Sequence, residues 1–91
     1  MALKWTESAE RDLVRLHAFL APVNSKVAAK VVKQLVAGAQ QLLAYPQLGV
    51  PLDEFAPRDV RRVIVGDYEV RYEVVENMIY ILRLWHARED R

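Results

Sequence analysis

At 91 residues the chain has room for one domain and one core, and its 53% apolar content excludes a disordered tail. With no cysteine and only two widely separated histidines, His17 and His86, neither a disulfide framework nor a metal site is expected, and no other cofactor is implied. Thirteen basic residues against twelve acidic ones leave a formal charge of +1, so net charge alone does not drive nucleic-acid binding. Nine of the thirteen cations are arginine, so a local basic patch remains open.

The first five residues lack the long apolar run of a signal peptide, and a cytoplasmic protein is expected. Residues 34–52 carry no charge over nineteen positions, close to the length of a membrane span. Four glutamines, Pro46, Pro51, Gly38 and Gly49 interrupt them, which fits a helix running into a loop. No membrane span is expected.

Leu3, Lys4 and Trp5 suit a short opening strand. Thr6 or Ser8 can cap the helix that follows, and Glu7, Glu10 and Asp12 put negative charge near its positive end. Ala9, Leu13, Leu16 and Leu20 recur on one helical face, and Pro22 ends the segment. Asn24 or Ser25 caps a second helix, predicted over residues 26–44. Val27, Val31, Leu35 and Leu42 line its apolar side, widened by Ala28, Val32, Ala39 and Leu43. Two amphipathic helices with so short a connection predict an antiparallel αα-hairpin.

Pro46, Gly49, Pro51 and Pro57 then break the pattern, and residues 45–59 read as a loop with at most one turn of helix. The last third changes period. Residues 60–65 suit a strand, and Gly66-Asp67 a hairpin turn. Tyr68, Val70, Tyr72 and Val74 alternate with Glu69, Arg71 and Glu73 on the next strand. Glu76-Asn77 is a second turn, and residues 78–85 form a strand apolar on both faces. Its register is therefore open, because a slip of one residue exchanges its faces. The expected fold is α+β in one domain over 1–91. It has a short N-terminal strand, the αα-hairpin, then a three-stranded antiparallel meander, with the helices on one face of an antiparallel sheet.

Words along the chain resemble the RelE/ParE toxins of type II toxin–antitoxin systems. In order they are Trp5-Thr6 with Ala9-Glu10-Arg11-Asp12-Leu13, Leu42-Leu43-Ala44-Tyr45-Pro46 with Gly49, Val60-Arg61-Arg62, Tyr68-x-Val70-x-Tyr72, and the segment from Leu84 to Asp90. They span nearly all of the chain. The closing His86-x-Arg88-x-Asp90 is more similar to ParE-type members, which poison DNA gyrase, cause growth arrest and are tied to plasmid stabilisation. RelE-type members instead cleave mRNA in the ribosome. The lysine cluster and C-terminal tyrosine of many nuclease members are missing, since no lysine follows Lys33 and no tyrosine follows Tyr80.

The resemblance implies a cognate antitoxin, a toxin–antitoxin hetero-oligomer, and DNA gyrase as target. The alternatives are the ribosome with its mRNA, or a degenerate member that only binds antitoxin. For a nuclease, His86 can move a proton, while Arg83 and Arg61 can present guanidinium forks to phosphate. Against that stands a plain structural role: His86 fixing the C-terminal segment by a hydrogen bond, and the arginines paired with nearby carboxylates. Arg88, Arg62 and Trp85 are the candidates for contact with target or antitoxin. Trp5, Trp85, Tyr68 and Tyr72 are expected in the core. His17 is expected to be a partly buried packing residue, and Lys26, Lys30 and Lys33 a solvated stripe.

Overall fold

The computed structural model describes residues 1–89. Strand β1 (Ala2–Trp5) leads into helix α1 (Glu7–Leu20), whose N-cap Thr6 accepts from the Ala9 N–H at 3.2 Å. Helix α2 (Ser25–Gln41) follows, with the Asn24 side chain accepting from Lys26 and Val27. Both caps are among the expected ones. The helix is three residues shorter at its C-terminus than predicted, because Leu42 to Ala44 bond back in a tighter turn.

Strands β2 (Val50–Pro51), β3 (Asp59–Val65), β4 (Tyr68–Val75) and β5 (Met78–His86) complete the chain, with one 3-10 turn at Asp53–Phe55. The sheet runs β1-β5-β4-β3-β2. Two expectations are corrected here. The stretch expected to be loop contributes the edge strand β2, whose Val50 pairs with Arg62. The sheet is also mixed rather than antiparallel throughout, since β1 lies parallel to β5. A two-residue edge strand ending in proline has almost no periodicity to read, and strand direction depends on the path of the helical hairpin.

The ambiguity of the last strand resolves through a bulge. Tyr72 pairs with Ile81 but Arg71 pairs with Arg83, so the register slips by one around Leu82. Ile79 and Ile81 therefore share the helix-covered face with Leu84 and His86. Tyr80, Arg83 and Trp85 point to the other face. A strand that looks apolar on both sides is one apolar face that changes parity.

The core lies between the helices and this face. Ala9 and Leu16 come from α1, Leu35 and Ala39 from α2, and Leu42 from the turn just after it. The sheet supplies Tyr68, Val70, Tyr72, Ile79, Ile81 and Leu84. On α2 the buried stripe is turned slightly from the predicted one: Ala28 is buried, whereas Val27 is exposed. His17 is exposed, not partly buried, while the lysine stripe is solvated as expected.

Gly49 sits where a side chain has no room. A Cβ there would come within 2.7 Å of the Arg62 carbonyl and 2.8 Å of Tyr72. The fully buried Tyr72 hydroxyl accepts from the Gly49 N–H and donates to the Pro46 carbonyl, each at 2.8 Å, and so ties the loop before β2 to the sheet.

Candidate functional site

The helices cover one face of the sheet. The residues of the opposite face fall in register rows across β3, β4 and β5: Ile64–Glu69–Trp85, Arg62–Arg71–Arg83 and Val60–Glu73–Tyr80. Three arginines thus stand side by side at the centre. Phe55, from the 3-10 turn, adds an aromatic ring beside Arg58 and Arg71. The Arg71 guanidinium lies 4.8 Å from the Trp85 ring centre, and that of Arg83 5.3 Å.

Carboxylates hold these cations from beneath. Glu69 lies 3.5 Å from Arg62 and 3.7 Å from Arg71. Glu73 takes two hydrogen bonds from Arg58, at 2.9 and 3.0 Å. That bidentate pairing holds the Glu73 carboxyl below the usual carboxylate range, although partial burial works against it.

Asp12 binds one end of the row. Strand β1 stops opposite Ile81, so the edge of β5 beyond it has no strand partner. Side chains of α1 replace one. Asp12 accepts from the Leu84 N–H at 2.9 Å and from Arg83 Nε at 2.8 Å, and Arg15 donates to the Leu84 carbonyl at 3.1 Å. Arg15 also pairs with Glu89, whose other oxygen accepts from the His86 backbone N–H. One turn of α1 thereby fixes the bulge, Arg83 and the C-terminal segment together.

The predicted acid–base set does not converge. Arg61 lies on the helix-covered face, bonded to Asp59 and to the Gly49 carbonyl at 3.0 Å, where it holds the loop. Arg83 belongs to the opposite face. His86 shares a face with Arg61 but lies two strands across, on β5, and opposite a β4 residue four positions from Arg61's partner, roughly 16 Å away at strand spacing. The His86 ring stands edge-on to Tyr68 at 5.2 Å, and its Nδ1 accepts from the Arg88 N–H. It lines an open groove with Leu16, Phe19, Leu20 and Arg88. Asp90, the last residue of the closing motif, lies outside the described residues.

The sequence profile described as the ParE toxin of type II toxin–antitoxin systems, parDE, matches residues 3–91. The chain belongs to the ParE toxin family. It is 29% identical to Toxin RelE2 of Caulobacter vibrioides over 84 residues, 91% of each chain. Among solved structures it is similar to the chromosomal ParDE system of P. aeruginosa, with a TM-score of 0.79 and 25% identity. That match covers 94% of this chain and 95% of the other. It is also similar to the toxin–antitoxin complex RelBE2 of Mycobacterium tuberculosis, with a TM-score of 0.69, 26% identity, and coverage of 93% and 95%. The fold and the superfamily are those expected from the sequence.

Among the named candidates, Arg62, Arg83 and Trp85 lie together on the open sheet face of this ParE-family chain. Arg61, His86 and Arg88 do not join them. Trp85 is buried, but under arginines on this face and not in the helix-side core; Trp5 packs half-buried against that core. Sequence reasoning missed Asp12, Glu69, Arg71, Phe55 and Arg58. A signal existed for Asp12, a carboxylate between Ala9 and Leu16 on the apolar stripe of α1. Among the described residues no group of histidines or carboxylates is arranged to hold a metal ion, and no helix is long and apolar enough to cross a membrane.

The position of His86 predicts a mild phenotype. His86→Gln keeps an acceptor near the Arg88 N–H and should retain growth arrest within about threefold of wild type. Loss of a proton-transfer group would instead cost about 10²–10⁴-fold. Dose–response curves of induced toxicity, with circular dichroism to verify folding, distinguish the two. A folded, inert His86→Gln variant would point to the nuclease.

Proposed function

We propose that this chain is a ParE-type toxin that acts by binding, inhibiting DNA gyrase without chemistry of its own, and is neutralised by a cognate antitoxin. The observation that carries this is the dispersal of His86, Arg83 and Arg61 over two faces of the sheet, where each makes a local structural contact. A cleavage site needs its acid, base and phosphate-binding cations within reach of one phosphodiester. Exposed apolar side chains support a partner: Phe19 and Val23 are 79% and 88% exposed towards the turn of the helical hairpin, and Phe19 lines the same groove as His86. The two solved relatives are toxin–antitoxin pairs, and an antitoxin segment is the matching occupant here.

Purified chain should inhibit gyrase-catalysed supercoiling, and induced cells should filament with DNA-damage signalling while their mRNA stays intact. Co-expression of the cognate antitoxin should give a tight complex and restore growth. Cleavage of translated mRNA soon after induction, mapped by primer extension, with supercoiling unaffected, would replace gyrase by the ribosome as target.

A further inference from the structure

The arginine row is an unusual thing for a sheet to contain. Like charges directly opposite one another on neighbouring strands destabilise the pairing, yet Arg62, Arg71 and Arg83 are consecutive cross-strand partners. Core packing does not require them, because they lie on the face away from the helices. The surrounding residues instead hold the cations in place. Guanidiniums and rings alternate as Arg58, Phe55, Arg71, Trp85 and Arg83, with separations of 5.9, 5.4, 4.8 and 5.3 Å.

Exposure decides what this face presents. The side chains of Arg58, Arg62 and Arg83 are 55%, 46% and 45% exposed, against 15% for Glu73, 4% for Glu69 and 6% for Asp12. The carboxylates lie underneath and the guanidiniums on top, so the outer surface is cationic although the local charges nearly cancel. We infer that the Arg58–Phe55–Arg71–Trp85–Arg83 row, with Arg62 beside it, is the surface on which the toxin grips an acidic segment of its protein target. The inference rests on the binding mode of action proposed above.

Composition favours a protein over a nucleic acid. Trp85, Tyr80, the exposed Ile64 and the arginines have the composition of a protein interface centre, where arginine and aromatic residues carry most of the binding energy. Guanidiniums already stacked on rings lose little further freedom on binding, and their planar forks match carboxylates.

The test uses the full chain with Arg58→Gln and Arg62→Gln combined. Lys26→Gln with Lys30→Gln serves as control, removing the same charge from the helical face. Growth arrest, inhibition of purified gyrase, binding to a 20-nucleotide RNA and thermal unfolding are measured for each. The arginine pair should lose about tenfold or more in arrest and in gyrase inhibition, and the lysine pair less than about twofold. If the double variant does not fold, Arg58→Gln alone, the most exposed of the row, should still lose at least about threefold. Equal potency of both pairs overturns the inference. So does RNA binding that the arginine pair abolishes, which makes the face a nucleic-acid site. An arginine pair that still arrests growth but escapes neutralisation by the cognate antitoxin overturns it too, making the face an antitoxin site. Loss of arrest in the arginine pair, when wild type never inhibits gyrase, upholds the surface and removes gyrase as its target.

Discussion

Asp12→Ala is expected to lower folding stability by about 2–3 kcal/mol, the cost of stranding a buried N–H together with its charged partners. The carboxylate is nearly buried and takes bonds from Leu84 N–H, Arg83 and Arg15, so its loss frees the bulge, one end of the arginine row and the C-terminal segment together. Arg83 and Arg15 are each nearly half exposed and recover hydration, which keeps the figure below that of a fully buried pair. Asp12→Asn, which keeps an acceptor for Leu84, should lose about half as much. Urea unfolding monitored by tryptophan fluorescence gives both values.

The same group sets an acid dependence. Burial by itself would raise the Asp12 carboxyl, but the Arg83 hydrogen bond, the Leu84 N–H, the Arg83 charge and Arg15 outweigh it and hold the group below its ordinary 3.8. A carboxyl depressed in the folded state contributes stability above its unfolded value and loses it as pH falls through the folded one. Glu73, lowered from 4.5 by Arg58, acts with the same sign. Wild type should therefore lose stability from about pH 4 downward, and Asp12→Asn should lose less over that interval. Identical acid slopes for the two proteins would remove Asp12 from this role.

Tyr72→Ala should be the most damaging core substitution, at about 4 kcal/mol. The side chain is wholly buried, with its ring in the core and its hydroxyl bonded to the Gly49 N–H and the Pro46 carbonyl. Removing it opens a cavity and strands two backbone groups of the loop that leads into β2. In a domain this small that is a large part of the total stability, and little soluble protein should accumulate at 37 °C. Tyr72→Phe keeps the volume and should lose about 1–2 kcal/mol from the missing hydroxyl alone. Equal losses in the two variants would mean that the ring contributes little and the loop tie dominates.

Much of the helical half was legible because its determinants are local. Thr6 and Asn24 are caps whose side chains bond backbone N–H groups two or three residues ahead, and Ala9, Leu16, Leu35 and Ala39 recur at helical spacing. The β3–β4 hairpin was equally plain. Gly66, at φ +60°, takes a left-handed position that glycine adopts freely, and strict alternation put Tyr68, Val70 and Tyr72 in the core. Family membership was legible too, since it rests on the order of short words along the whole chain.

The open sheet face was not legible, because nothing local distinguishes a cation on a solvated strand from one in a built surface. Arg62, Arg71 and Arg83 come from three strands and become neighbours only through cross-strand register, which on β5 depends on a slip around Leu82. Asp12 reads locally as one more acid near a helix start, yet its partners lie some seventy residues away. The sequence by itself determined the helices, the β3–β4 hairpin with its core-facing Tyr68, Val70 and Tyr72, and the family, because periodicity, capping and turn chemistry act over a few residues. Only the tertiary structure decided the parallel pairing of β1, the faces of β5, the separation of His86 from Arg61 and the assembly of the arginine row. Each of these depends on contacts between segments far apart in the chain, whose relative placement is a property of the whole packed domain.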